Sequence, residues 1–114
     1  MAKSLKELIS EGYCDCRGAV TGATVNALPG WESRYGVTFM CIKDNYLSFY
    51  EIDIKGNVGK RIAVVEIAKL ENFVFKAKFL VQFLAFEYEG KYYEFTNFGN
   101  HKVLKRVFEE ERNK

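Results

Sequence analysis

From Gly36 to Thr96 the chain is cut into short runs of aromatic and β-branched residues, each closed by polar or glycine-bearing positions. Runs of that length suit strands and are too short for packed helices, so the segmentation restricts this stretch to a sheet of sequential antiparallel strands. Gly36 to Ile42 and Tyr46 to Asp53 flank Lys43-Asp44-Asn45, whose tolerance of positive φ predicts a tight hairpin. Ile54 to Lys60 carries two glycines and turns the chain into a strand from Arg61 to Glu66. Leu70 to Lys78 and Phe79 to Tyr88 read as further strands with a bend at Lys76-Ala77-Lys78, and Glu89-Gly90 turns the chain into Lys91 to Thr96. With Tyr13 to about Val25, which ends in the loop Asn26-Ala27-Leu28-Pro29-Gly30, the count is about seven strands.

Two segments follow a different period. Ser4-Leu5-Lys6-Glu7 has capping-box spacing, Leu5, Leu8 and Ile9 form a short stripe, and Gly12 suits a left-handed stop. Beyond Asn97-Phe98-Gly99-Asn100, where either asparagine suits a cap, Val103, Leu104, Val107 and Phe108 recur at helical spacing. Lys102, Lys105, Arg106, Glu109 and Glu110 fill the opposite side. The expected fold is therefore α+β and mainly β: a bent antiparallel sheet or partly open barrel of about seven strands with a short N-terminal helix and a C-terminal amphipathic helix. At 114 residues and 48% hydrophobic, the chain suits a single domain over 1–114, with the first helix at 1–12, the barrel at 13–96 and the closing helix at 98–112.

A net charge of +2 falls short of the basic excess that phosphate neutralisation requires, so no nucleic acid partner is expected. The longest apolar run, Phe79 to Phe86, is far shorter than a bilayer span, and no leader sequence is recognisable at the N-terminus. A cytoplasmic location is the expectation. Cys14, Cys16 and Cys41 are odd in number, which fits reduced thiols there.

The order of strands followed by one amphipathic helix resembles a pleckstrin-homology-like domain of the bacterial or GRAM type. The residues that carry the resemblance are Val37-Thr38-Phe39, Tyr46-Leu47-Ser48-Phe49-Tyr50, Ile62-Ala63-Val64-Val65-Glu66-Ile67 with Leu70, Gly90-Lys91-Tyr92-Tyr93-Glu94-Phe95 and Asn97-Phe98. The resemblance covers about two thirds of the chain, and its motifs are hydrophobic patterns. It implies a binding scaffold that presents loops, or a groove beside the helix, to lipids, peptides or other subunits. The closely spaced lysines and arginines of inositol-phosphate binders are missing, since the corresponding region offers only Arg17 and Arg34.

Chemistry-bearing residues form no persuasive centre. Cys14-x-Cys16 with Cys41 and His101 lacks the knuckle spacing of structural zinc sites. Cys41 and His101 could only form a hydrolase pair if the thiol left an expected core strand, and no orienting group is evident. Glu51, Asp53, Glu66, Glu87, Glu89 and Glu94 lie beside turns or at strand ends, where charge protects edges. Gly18, Gly22, Gly30, Gly56 and Gly59 make no phosphate fingerprint. No catalytic residue, metal or cofactor is assigned.

Binding candidates are stronger. Leu28-Pro29-Gly30-Trp31 reads either as an apolar loop tip that enters a membrane interface or a partner's pocket, or as a plug at one end of the barrel. Lys43, Lys55, Lys60, Arg61, Lys76, Lys78 and Lys91 lie near expected turns, as an anion-binding rim or as ordinary solubilising charge. Phe79, Val81, Phe83 and Ala85 oppose Leu80, Leu84 and Phe86, so both faces of one strand demand cover. A non-catalytic module for protein interaction or self-assembly, docking through the aromatic strands or a groove beside Val103, Val107 and Phe108, is the leading expectation. The alternative is a peripheral lipid or small-ligand binder using Trp31, Leu28, Arg34, Arg17 and the basic rim.

Overall fold

The computed structural model of the chain describes residues 5–15, 18–29, 36–52, 58–78, 81–99 and 101–112. The elements run α1 (Leu5–Ser10), β1 (Ala19–Ala27), β2 (Val37–Lys43), β3 (Tyr46–Ile52), β4 (Val58–Glu66), a 3-10 turn (Ile67–Lys69), β5 (Glu71–Lys78), β6 (Val81–Tyr88), β7 (Lys91–Thr96) and α2 (His101–Arg112). Among the described residues the strands form one sheet in the order β4-β3-β2-β1-β7-β6-β5, every pair antiparallel. The chain is thus mainly β, with a short helix before the sheet and a longer one after it.

The curvature of the sheet follows from four rings. Phe49 on β3 stacks on Phe95 of β7 with centroids 5.0 Å apart and planes only 9° from parallel. Three inter-strand steps separate β3 from β7, which would be about 14 Å in a flat sheet. Contact at van der Waals range therefore requires the sheet to curl over its own inner face. Phe86 stacks on Tyr93 at 4.9 Å and completes the cluster. Bulges assist the bend: β1 shifts register between Val20 and Ala23, where Gly22 has φ +64°.

Strand periodicity divides the apolar residues between two cores. Met40 and Ile42 of β2 and Leu47 and Phe49 of β3 face the inner core, which Leu104, Val107 and Phe108 of α2 cover. Phe39 and Cys41 face the other way, into a smaller cluster with Leu8, Cys14 and Ala19, against which Tyr13, Tyr50 and Ile52 pack. The outer face of β1 to β3 is thus covered by α1 and the residues after it.

Two turns match their local sequence closely. Lys43 pairs with Tyr46 around Asp44-Asn45, with Asp44 at φ +55°, and Tyr88 pairs with Lys91 around Glu89-Gly90. Positive φ at both Glu89 (+52°) and Gly90 (+78°) is the backbone of a primed hairpin turn. A methyl group at Gly90 would meet nothing within 4 Å, so Gly90→Ala isolates the conformational cost. It is expected to lose about 1 kcal/mol, a fall of roughly 4–8 °C in Tm by thermal melting; an unchanged Tm would refute this account of the turn.

Several boundaries differ from the sequence reading. The first strand begins at Ala19, not Tyr13, because Gly18 at φ +103° breaks the run and Asp15 donates its N–H to the Ile42 carbonyl at 2.7 Å. β4 starts at Val58, earlier than Arg61. Lys76-Ala77-Lys78 is no bend: the three residues pair with Phe83, Gln82 and Val81. The closing helix starts at His101, not residue 98, since Asn97 takes φ +53° and Phe98 enters the inner core. The Ser4 cap and the turn at 53–57 lie outside the described residues. Among the described residues no helix is long and apolar enough to cross a membrane.

Candidate functional site

Among the described residues β5 stands at one end of the sheet and pairs only with β6, so its outer edge has no described strand beside it. Such edges are usually blunted, and β5 is blunted in part. Between Glu71 and Val74 the register shifts, with Asn72 at φ +50°, and Lys76 and Lys78 supply charge toward the other end. Phe73-Val74-Phe75 lies between these devices. Phe73 is 36% exposed and Val74 42%, values high for large apolar side chains.

α2 runs beside this edge. Phe108 stacks on Phe73 with centroids 4.9 Å apart and touches Phe75 at 5.9 Å, while Phe75 also stacks on Phe98 at 6.4 Å. These rings fix α2 to β5 and leave a groove of about 680 Å³ lined by Phe73, Val74, Phe75, Ala77, Lys105, Phe108 and Glu109. Its floor is aromatic and its helical wall carries one lysine and one glutamate. An apolar trench beside an open strand edge can receive an extended chain by pairing backbone with backbone and seating alternate side chains.

The sequence candidates fall into three groups. Trp31, Arg34, Arg17 and Cys16 lie outside the described residues. Leu28, read as part of an exposed tip, is only 7% exposed and belongs to the inner core. On α2, Val107 is buried and Val103 half-buried against the same core, so both hold the helix in place, and Phe108 alone of the three lines the groove. The sequence reading counted Phe73 and Phe75 in an aromatic stretch too rich to be hidden on one face and placed docking on the aromatic strands, but it singled out neither Val74 nor Lys105 as a site residue. Phe73-Val74-Phe75 was visible as a strand, but nothing local marked it as the terminal strand.

Lys60 and Arg61 belong to β4 and Lys76 and Lys78 to β5, the two opposite ends of the sheet order. Lys43 and Arg61 share a shallower depression of about 360 Å³ with Asp44, Tyr46, Ser48 and Val64, and Lys43 donates to the Gly12 carbonyl at 2.9 Å. Lys55 lies outside the described residues.

Two of the acidic residues serve local contacts: Glu66 pairs with Lys69 at 3.1 Å and Glu94 accepts a hydrogen bond from the Tyr92 hydroxyl at 2.6 Å, while Asp53 lies outside the described residues. Among the described residues no group of three or more potential metal ligands occurs. Burial pushes the Cys41 thiol up to about 12, the reverse of the shift a nucleophilic thiol needs. The side chain of His101 is outside the described set. No family model, curated protein or solved structure matches this chain.

Proposed function

We propose that this chain is a non-catalytic interaction module of pleckstrin-homology-like architecture that docks an extended protein segment along β5, in the groove against α2. The observation that carries the reading is the coincidence of an open strand edge, exposed Phe73 and Val74, and an aromatic-floored groove on the same strand. The strand order β4-β3-β2-β1-β7-β6-β5 with a helix over the inner core supports the architectural half. The alternating faces of β5 support the choice of occupant: Phe73, Phe75 and Ala77 have one parity, which suits side chains seated two residues apart. Apolar residues at alternate positions of the incoming segment would meet them.

A random-peptide display library selected against the intact protein tests this. Selected peptides are expected to be extended and apolar at alternate positions, and to move the amide NMR resonances of Glu71–Lys78 and Lys105–Glu109. Val74→Glu, at an exposed position, should weaken them about tenfold, close to 1.4 kcal/mol, while Tyr92→Glu leaves them unchanged. Light scattering across a concentration series identifies a second copy as the occupant if a dimer forms and Val74→Glu dissolves it. Selected peptides that map to other strands, or an empty selection together with a strict monomer, would overturn the reading. Retention on anionic vesicles that Trp31→Ala abolishes would turn the assignment to the lipid-binding alternative.

A further inference from the structure

Cys14 and Cys41 are 27 positions apart in sequence yet meet in the outer cluster. Cys14 is 3% exposed and Cys41 fully buried, both are free thiols, and the residues that follow them are joined by the Asp15–Ile42 backbone hydrogen bond. The backbones that carry them are held on both sides of the pair. Cys14 donates its N–H to the Leu8 carbonyl at 3.4 Å, Asp15 donates to the Ile42 carbonyl at 2.7 Å, and the Asp44 N–H donates to Asp15 Oδ2 at 2.9 Å. Cys41 sits in a paired strand opposite Ala19 and Ser48. Isolated buried cysteines serve as small apolar fillers, but two thiols in one small cluster, on segments this distant in sequence, can also become one covalent cross-link.

We propose that Cys14 and Cys41 form a dithiol–disulfide couple whose oxidation by a low-molecular-weight disulfide latches the α1 segment onto the outer face of β1 to β3. The Cys14 thiolate attacks one sulfur of the external disulfide, forming a mixed disulfide and releasing one thiolate. Cys41 then loses its proton and attacks the Cys14 sulfur, forming the Cys14–Cys41 bond and expelling the second thiolate. Two protein thiols are oxidised and the external disulfide is reduced to two thiols, so atoms and electrons balance.

Access requires the α1 segment to lift, because both sulfurs are covered in the closed state. Burial raises both thiols, with the carboxylate of Asp15 adding to the effect on Cys14 and Tyr13 and Tyr50 packed against the cluster that holds them. Thiolate is therefore scarce at neutral pH, and the reaction is slow there and accelerates as pH rises toward the thiol range. The latch sets slowly and, once set, keeps Phe39 and Tyr50 covered.

The test is incubation of the full chain with oxidised glutathione, in the natural sequence and in Cys16→Ser, followed by intact-mass analysis and peptide mapping. The expected product has lost two hydrogens, carries no glutathione, and joins the peptide of Cys14 to that of Cys41. Its Tm exceeds that of the reduced form by on the order of 10 °C, because a cross-link between distant segments restricts the unfolded chain, and dithiothreitol reverses both changes. A lasting glutathione adduct on Cys14, a Cys14–Cys16 bond, a cross-link between chains, or thiols that remain fully alkylatable would each overturn the proposal.

Discussion

Replacing Phe49 with alanine is expected to lower the unfolding free energy by about 3–5 kcal/mol, as large aromatic deletions in cores do. The ring is fully buried and lies between Phe95 at 5.0 Å and Tyr93 at 6.2 Å, on a strand three steps away from theirs. Its loss removes the contact that holds the curled sheet against itself, and not merely one face of a cavity. Domains of this size are stable by roughly 5–15 kcal/mol, so the variant is expected to be partly unfolded at 37 °C. Urea titration by circular dichroism measures it, with Tyr46→Ala, at a side chain 45% exposed, as the comparison that should stay within about 1 kcal/mol. A cost below about 1.5 kcal/mol for Phe49→Ala would mean that the bulges and β-pairing alone maintain the curl.

Leu8→Ala should act locally. Leu8 is 1% exposed, anchors α1 in the outer cluster, and its carbonyl accepts the N–H groups of Tyr13 and Cys14. A helix of six residues has almost no stability of its own, so docking of this segment rests on that side chain and the few residues around it. Losing about 2–5 kcal/mol at Leu8 favours the undocked state by roughly 30-fold or more. Alkylation of Cys14 and Cys41 by iodoacetamide is expected to accelerate by at least about tenfold, while the amide resonances of β5 to β7 stay in place. Unchanged alkylation would show that the thiols are reached by some route other than lifting of α1; loss of all native resonances would show that the outer cluster is not a separable unit.

Much of the secondary structure was legible because strand, turn and helix signals are short-range. Asp44-Asn45 and Glu89-Gly90 were identifiable as turns from the tolerance of aspartate, asparagine and glycine for positive φ, and Val103, Leu104, Val107 and Phe108 from their 3.6-residue spacing. Errors arose where one residue's backbone overrode a run of favourable neighbours. Gly18 detached Tyr13 to Asp15 from the first strand, and Asn97 delayed the closing helix. Lys76-Ala77-Lys78 read as a bend between two strand-like runs, yet an edge strand tolerates lysines because one side of it meets solvent.

The candidate site was far less legible. Leu28 and Trp31 stood out as a loop with anchor residues, but Leu28 is in the core and Trp31 lies outside the described residues. Val74 passed as an ordinary strand residue because position at the end of a sheet leaves no mark within the strand itself. By itself the sequence determined the kind and order of the elements, since periodicity and turn chemistry are properties of neighbouring residues. Only the tertiary structure decided that β5 ends the described sheet beside α2, that Phe49 reaches Phe95, and that Cys14 and Cys41 share one cluster. Those outcomes depend on how a twisted sheet curls and which distant side chains then fill the same space, a sum over the whole chain that no local window contains.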